Sequence, residues 1–561
     1  MKKAFILTAA VLALASCSLK EEFTSYTRNE EFYENKIQIQ SGINACYNML
    51  RSMFGGTSFW MTTECTTDLM FLNVSTAYNA TLNISPAQPS FAATLWRYSY
   101  QGVMRANAML HATKRALENG NITEEEALGL ESETVVLRAF FYYLLTSSFG
   151  DVPFYTENVD ENNRARIANL PRMPADDTRD YLIEELKDYL YPVGMGGKEG
   201  LELKRSYDPP FENRLGAAAG LMIAGKFCLW NERWDDAIEI LGILEDIYGH
   251  YADNPEQFAS DYLLSDVPFG HKFTPESILE MENQYSEYGI QQTASIAMYA
   301  TPSKNNKSVI TGEGEEEEEY IISDNYNGIC IPELGKNSRI TTSARPTTYY
   351  FQTVLSYDSP DLRSGEYSGG ENEPRGGSGN LAWRWSGFAS DDTQRLPEDR
   401  AVRWFSTCSK KIQRPWLGNK FWCEDMYYNM DSNNYKYFRF ADALLMLSEA
   451  HLRAGNLETA VKYLNITRVR AGLDKLTVSS TGGNIEALME EIRLERAREL
   501  FGEFQRKYDL VRWGIWYERT VQYNDGMYLR DYIKPCHRYL PIPQDQVTYS
   551  HGALDNNEYL N

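Results

Sequence analysis

The sequence lacks the short motifs of the common enzyme classes. It contains no GxSxG, HExxH, P-loop or GxGxxG pattern. Its six histidines are scattered, and none has a partner at the spacing of metal ligands. These absences disfavour nucleophile-elbow hydrolases, zinc proteases and nucleotide-binding enzymes, and the sequence predicts no catalytic residue, no metal and no cofactor.

Runs of basic residues are also absent. The formal net charge of the 561 residues is −23 at pH 7. A chain of this charge repels nucleic acid and is not held electrostatically on anionic lipid. Nucleic acid is therefore excluded as a predicted partner, and polyanionic substrates are disfavoured.

Cysteine is scarce, and no two cysteines have CxxC spacing. Eight are present in the chain. If Cys17 carries lipid, as argued below, an odd number remains, which implies neither a disulfide framework nor a zinc site. The sequence predicts buried free thiols.

The apolar run at the N-terminus is too short to cross a bilayer. It covers residues 4–15 and follows Lys2 and Lys3, the arrangement of a secretory signal peptide, which we assign to residues 1–16. Residues 14–17, Leu-Ala-Ser-Cys, resemble a bacterial lipobox, and the resemblance implies lipid on Cys17. An ordinary secretory signal with an incidental cysteine is the alternative. Residues 18–22, SLKEE, resemble the acidic export tag of surface lipoproteins of the Bacteroidetes group.

Two helical hairpins are the clearest features that the sequence does contain. Residues 438–473 read FRFADALLMLSEAHLRAGNLETAVKYLNITRVRAGL, with apolar residues at i, i+3 and i+4 on both sides of Gly455-Asn456. Residues 215–230 and 234–248 repeat this pattern. Paired amphipathic helices joined by a Gly-containing turn are typical of tetratricopeptide repeats.

Further helices are predicted at residues 30–53, 95–110, 124–149, 176–190 and 484–514. The helix at 124–149 is apolar almost all round, which predicts burial between other helices. The one at 484–514 predicts three ion pairs at helical spacing, namely Glu503–Lys507, Arg496–Glu499 and Asp509–Arg512. Glu495 and Glu499 are a conceivable acid/base couple there, but a salt-bridge lattice is the favoured interpretation.

Two segments lack helical periodicity. Residues 59–93 are rich in Thr, Ser, Asn and Pro and predict a long structured loop. Residues 251–435 contain five of the eleven tryptophans and an acidic run at 312–320, which predicts a solvated surface segment within an irregular insert. The predicted fold class is mainly α, with tetratricopeptide-like helix pairs forming a scaffold and a large irregular loop-rich insert.

Five stretches of the sequence read as motifs of one known family. They are LRAFFYYLLTSSFGDVPFY around residue 138, RLGAAAGLMIAGKFCLWNERWDDAIEIL at 214–241, YFRFADALLMLSEAHLRAGNLETAVKYLNITRVRAGL at 437–473, ERARELFGEFQRKYDLVRWG at 495–514 and RYLPIPQDQV at 538–547. In these motifs and in their order, the chain resembles the SusD/RagB family of outer-membrane nutrient-binding lipoproteins. The segment LFGEFQRK departs from the family pattern, which usually has Phe-Glu-Gly before the basic residue, so the turn around Gly502 is expected to differ.

This resemblance implies one SusD-like domain over residues 17–561. Its helical scaffold covers 30–250 and 436–520, the insert covers 251–435, and a tail covers 521–561. It also implies a lipid-anchored protein on the exterior of the outer membrane that binds oligosaccharide or, in some members, peptide. The partner is a SusC-like TonB-dependent barrel, and the protein has no catalytic activity of its own.

Sugar recognition requires aromatic faces for pyranose rings and polar side chains for hydroxyl groups. For any single aromatic residue in a loop, packing beneath that loop is the alternative to ligand contact. A lipid-anchored glycoside hydrolase remains open, because two suitably spaced carboxylates are not excluded among 78 Asp and Glu residues. A pure tetratricopeptide scaffold leaves the aromatic insert without a role. The predicted ligand-binding residues are Trp60, Asp68 and Tyr78 in the 59–93 segment and Tyr285, Tyr299, Tyr349, Trp383 and Trp385 in the insert.

Overall fold

The structure is a computed structural model. It describes residues 32–284, 293–301, 341, 343–357, 359–364, 379–382, 414–423 and 430–559, together with the backbone of short strands at 308–311, 318–321 and 402–404. Cys17, the predicted signal peptide 1–16 and part of the acidic run at 312–320 lie outside the described residues.

Most of the described chain is α-helical, as predicted. The α-helices are α1 (Lys36–Phe54), α2 (Ser58–Thr63), α3 (Tyr78–Thr81), α4 (Phe91–Glu118), α5 (Glu124–Phe149), α6 (Arg164–Ala168), α7 (Ala175–Leu190), α8 (Ala217–Trp230), α9 (Trp234–Tyr248), α10 (Pro255–Asp261), α11 (Ile296–Ala300), α12 (Phe440–Arg453), α13 (Leu457–Arg470), α14 (Ile485–Glu499), α15 (Arg506–Arg512), α16 (Trp516–Tyr523), α17 (Met527–Arg530) and α18 (Gln544–Tyr549).

The structure also contains short antiparallel strands. They are β1 (Met70–Leu72), β2 (Ser277–Met281), β3 (Ser308–Thr311), β4 (Glu318–Ile321), β5 (Ala344–Pro346), β6 (Leu381–Ala382), β7 (Val402–Trp404), β8 (Trp416–Leu417) and β9 (Tyr435–Arg439). Strand β1 pairs with β5, β2 with β9 and β6 with β8, while β3 lies between β4 and β7.

The two predicted hairpins are confirmed. Helix α8 packs against α9, and α12 packs against α13 and α9, so the two pairs form a continuous stack. Gly455 adopts a φ of +85° at the α12–α13 turn, the left-handed conformation that glycine permits. In the first pair, a Cβ on Gly225 would lie 2.6 Å from Cδ2 of Leu241, so glycine allows the helices to approach closely.

Helix α5 is the central element of the scaffold. Its bounds match the predicted 124–149, and nearly every residue from Ser132 to the C-terminus is buried. At the N-terminus, the Thr123 side chain accepts a hydrogen bond from the Glu126 backbone, and the Glu126 carboxylate accepts one from the Thr123 backbone. The capping box starts the helix, and the apolar surface on all sides buries it.

The prediction of a long loop at 59–93 was wrong. Two short helices, α2 and α3, and strand β1 occupy this segment, and residues 59–72 are buried throughout. The hydroxyl groups of Thr62, Thr63 and Thr66 each donate to the backbone carbonyl four residues earlier. Because these polar side chains satisfy themselves locally, the segment is buried despite its loop-like composition.

The single helix predicted at 484–514 is interrupted. It ends at Glu499 and resumes at Arg506, with Gly502 at φ +79° and Phe504 at φ +68° between the two parts. The predicted Asp509–Arg512 pair is present at 2.9 Å. The predicted Glu503–Lys507 and Arg496–Glu499 pairs do not form, because Glu503 binds Arg439 and Lys420 while Arg496 binds Asp442 and Asp509, as 2.6–2.9 Å contacts show.

A buried network of charged side chains joins the insert to the helical scaffold. Arg439 contacts Glu276 at 2.8 Å, Glu499 at 3.0 Å and Glu503 at 2.7 Å, and all four side chains are at most 4% exposed. Arg363, from the insert, adds contacts of 2.8 Å to Glu495 and 2.9 Å to Glu499.

This network answers the question of an acid/base couple on α14. Burial alone would raise the pKa of Glu495 and of Glu499, but the surrounding guanidinium groups outweigh it and hold both pKa values below the usual range. Both carboxylates are fully buried and ion-paired. The salt-bridge interpretation is therefore confirmed.

Among the cysteines that the structure describes, Cys46, Cys65 and Cys228 are buried free thiols, Cys423 is buried and Cys536 is half-buried. None of the helices within the described ranges combines the length and the apolar character needed to cross a bilayer.

Candidate ligand-binding face

A ribbon of short strands brings four distant segments together. Strand β1 pairs with β5, with Phe71 opposite Arg345. Strand β8 follows Arg414 and lies beside β5. The backbone N–H of Thr341 donates to Met298 O at 2.9 Å, which ties α11 to the start of β5. We call this surface the ribbon face and define it by Tyr78, Tyr299, Arg345 and Trp416.

Guanidinium groups and aromatic rings alternate along the ribbon. The Arg345 guanidinium lies 5.5 Å from the Trp416 ring centroid, and that of Arg414 lies 4.8 Å from the Phe71 centroid. The Arg345 Nε and Nη2 atoms donate to the carbonyls of Pro415 and Arg414, at 3.1 and 2.6 Å. Arg345 and Trp416 are half-buried, so part of each side chain stays accessible to solvent while its other contacts hold it in place.

Two tyrosines lie on helices that contact the ribbon, α3 beside β1 and α11 beside β5. Tyr78 begins α3, the next element after β1, and is 37% exposed, which is high for so large a side chain. Tyr299 lies on α11 and is half-buried against the core. Both predicted residues thus belong to short helices next to the ribbon and remain ligand candidates.

The structure removes Trp60 and Asp68 from the ligand candidates. Trp60 is fully buried, and its indole N–H donates to Gly502 O at 3.1 Å. Asp68 is also fully buried, accepting hydrogen bonds from Arg506 at 2.7 and 2.8 Å and from Arg519 at 3.1 Å. These ion pairs outweigh the desolvation of the carboxylate and lower the pKa of Asp68. Neither side chain reaches solvent.

Tyr349 has a structural partner on each side. Its ring stacks on Tyr523 with centroids 4.0 Å apart, and its hydroxyl accepts a hydrogen bond from Arg519 Nη2 at 2.6 Å. The side chain is half-buried. It therefore retains an exposed edge, although its hydroxyl is already used.

The remaining predicted ligand residues, Tyr285, Trp383 and Trp385, lie outside the described residues. Prediction from sequence missed Arg345 and Trp416. The cluster of five tryptophans between 383 and 422 contained a signal for Trp416, whereas nothing local marked Arg345, whose place depends on a strand pairing with residues 70–72.

Grooves also lie on the helical scaffold of the described surface. One, of about 550 Å³, is lined by Tyr33, Met104 and Arg115 among others, and another, of about 510 Å³, by Arg205 and Phe211. Neither is lined by a residue of the ribbon face. An oligosaccharide that stacks on aromatic rings needs ring surfaces that it can reach.

The geometry defines a helical-repeat protein with an aromatic surface on short strands and short helices, and comparison with known proteins specifies the class. Residues 419–559 match the family described as "SusD family", and residues 22–188 match "Starch-binding associating with outer membrane". The chain belongs to the SusD/RagB family.

Individual relatives span the full length. SusD-like protein P25 from Formosa agariphila is 22% identical over 97% of both chains. Surface glycan-binding protein A from Bacteroides uniformis is 21% identical, with a TM-score of 0.64 over 94% of this chain and 100% of that one. The namesake protein from Bacteroides thetaiotaomicron, in complex with laminarihexaose, is 18% identical, with a TM-score of 0.63 over 93% and 99%. These structures confirm the predicted fold.

Proposed function

We propose that the protein is a surface-exposed glycan-binding lipoprotein that captures oligosaccharide and passes it to a SusC-like TonB-dependent transporter in the outer membrane. The observation that carries the proposal is the ribbon face, which collects accessible aromatic rings and a guanidinium group in a chain of a family described as starch-binding. Lipid on Cys17 holds the protein to the membrane, and residues 17–561 act as one domain.

The chemistry of the ribbon face suits a neutral glycan. Pyranose rings present C–H faces that pack on Tyr or Trp, while their hydroxyl groups need donors and acceptors at the edge of the ring. Tyr78 and Trp416 supply faces, and Arg345 supplies donors. Tyr285, Trp383 and Trp385 follow described segments closely in the chain and complete the proposed ligand residues together with Tyr299 and Tyr349.

The experiment that tests the proposal is a glycan-array screen of purified protein lacking residues 1–16, followed by calorimetry and product analysis with each bound glycan. We expect binding to at least one oligosaccharide and recovery of that oligosaccharide at its original length. Shortened products that disappear when a carboxylate pair is replaced would instead identify a hydrolase. Binding to peptides but to no glycan would assign the protein to the peptide-binding members of the family.

Replacing Tyr78 with Ala is expected to weaken glycan binding by about 1–3 kcal/mol, the usual loss at a binding hot spot. The fold should persist, because Tyr78 is 37% exposed. The matched control is Tyr181→Ala on α7, where the tyrosine is 44% exposed on the scaffold and affinity should not change. Equal affinities of the two variants would place the binding site away from α3.

Replacing Cys17 with Ser is expected to release the protein from the membrane. Without the thiol there is no site for lipid attachment, and a lipid anchor is the proposed attachment. The measurement is fractionation of producing cells, with Cys536→Ser as the control because Cys536 lies near the other end of the sequence from the N-terminal processing site. Equal membrane association of both variants would contradict lipid anchoring through Cys17.

A further inference from the structure

A polar clamp connects the ribbon face to the C-terminal part of the chain. Arg414 Nη1 lies 3.1 Å from Asp525 Oδ1, and Arg414 Nη2 donates to the other carboxylate oxygen. Thr348 donates its hydroxyl to Asp525 Oδ2 at 2.5 Å and accepts from Arg414 Nη2 at 3.2 Å. Two parallel bonds between a guanidinium and a carboxylate fix the orientation of both planes. We call Arg414, Asp525 and Thr348 the clamp.

The Asp525 end of the clamp is held rigidly. The preceding residue, Asn524, is buried and donates to Thr67 O at 2.6 Å and Met70 O at 3.0 Å. On the other side, a Cβ on Gly526 would lie 2.7 Å from Phe71 Cβ, so the backbone at Gly526 packs directly on β1. Asp525 therefore stands at a fixed point beside β1.

The Arg414 end of the clamp leads into the ribbon face. Arg414 also donates to Pro346 O on β5, while its own carbonyl accepts from Arg345 Nη2 at 2.6 Å. Trp416 follows two residues later and lies under the Arg345 guanidinium. The clamp thus includes the residue that contacts Arg345 and that precedes Trp416 by two positions.

We infer that Asp525 is a positioning residue for the ligand-binding face: by orienting Arg414, it holds Trp416 and Arg345 in the arrangement that accepts a sugar ring. This inference rests on the proposed function. Asp525 does not need to touch the ligand, because both of its carboxylate oxygens bind the clamp. A ring held in its binding orientation loses less conformational freedom on association, which increases affinity.

The test compares Asp525→Asn with wild type by glycan calorimetry, thermal unfolding and ¹⁹F NMR of protein labelled with 5-fluorotryptophan. The Trp416 resonance is assigned with Trp416→Phe. Asn keeps the shape of the side chain but loses the charge that binds Arg414. We expect the dissociation constant to rise about tenfold, the Trp416 resonance to shift or broaden, and the melting temperature to fall by less than about 3 °C. Asp525→Glu should restore part of the affinity.

Thr348→Val is the second variant, with a smaller effect expected in the same direction. The matched control is Glu157→Gln, which removes a carboxylate from an exposed pair with Arg166 at 2.7 Å and should alter neither affinity nor resonance. Unchanged affinity or an unchanged Trp416 resonance in Asp525→Asn would overturn the inference. If wild-type protein binds no glycan, the proposed function fails, while the resonance still decides whether the clamp positions Trp416.

Discussion

Replacing Arg439 with Met is expected to lower the free energy of unfolding by about 3–5 kcal/mol, because it leaves buried carboxylates without their shared cation. Arg439 is fully buried and lies within 3.0 Å of Glu276, Glu499 and Glu503. Met fills a similar volume, so the loss arises from charge rather than from a cavity. Chemical denaturation at pH 7 measures the difference.

The matched control is Arg166→Met, whose partner Glu157 lies at 2.7 Å on the surface. Exposed ion pairs contribute about 0–1 kcal/mol, so this variant should be almost as stable as wild type. Similar losses in the two variants would show that burial does not distinguish the network from a surface pair.

The same network predicts the direction of the pH dependence. Burial alone would raise the pKa of Glu276, but the charges of Arg439 and Arg470 outweigh it and lower that pKa. The pKa values of Glu495 and Glu499 are also lowered by neighbouring guanidinium groups. Carboxylates with depressed pKa values contribute stability that is complete above their unfolded value of 4.5 and is lost as the pH falls below it. Without Arg439 the depression of Glu276 is smaller, so acid unfolding of Arg439→Met should begin at a higher pH than that of wild type.

Local sequence was sufficient where one element carried all the information. For α5, the Thr123 cap, the turn at Gly150 and the uniformly apolar surface all lie within a single stretch, and the predicted bounds agree with the observed ones. The α12–α13 pair was equally predictable from the sequence, since Gly455 marks its turn. Capping and periodicity are local properties, and here tertiary contacts did not override them.

The predictions that were wrong concern features that depend on contacts between residues far apart in the sequence. The break between α14 and α15 is held by Glu64, whose carboxylate accepts from the backbone N–H groups of Gly502 at 3.2 Å and Arg506 at 3.3 Å. Burial raises the pKa of Glu64 to about 8. The helical periodicity of the sequence continues through residues 500–505 and does not indicate the break. The departure of the segment around Gly502 from the family pattern did indicate a changed turn.

Asp68 shows the same limit at the candidate site. An aspartate in a Thr-rich and Asn-rich stretch looks like a ligand contact, but its partners Arg506 and Arg519 lie more than 430 positions away in the sequence. The ribbon face could not be predicted for the same reason, since the β1–β5 pairing joins residues near 70 to residues near 345. Sequence indicated that loops bear the aromatic residues, whereas strand pairing decided which of them reach the surface together.

Lys507 is a position where a single substitution should stabilise the protein. It is only 3% exposed, and its Nζ has no hydrogen-bond partner within the described part of the chain. The Trp516 ring, whose centroid lies 5.1 Å from Nζ, can partly stabilise the ammonium charge. Burial lowers the pKa of Lys507 from 10.5 to about 7.

Lys507→Met is therefore expected to raise the free energy of unfolding at pH 7 by roughly 3–5 kcal/mol, at about 1.4 kcal/mol for each unit of pKa depression. The unfolded lysine binds a proton below 10.5, whereas the folded one stays neutral down to about 7. Wild type should consequently lose stability relative to the variant as the pH falls from 10 to 7, with a constant difference below that.

Denaturation across this range measures the difference, and Lys114→Met, at a lysine that is 73% exposed, is the control. A difference that does not vary between pH 10 and 7 would mean that Lys507 is charged in the folded protein, and its cation would then have to be stabilised chiefly by the Trp516 ring.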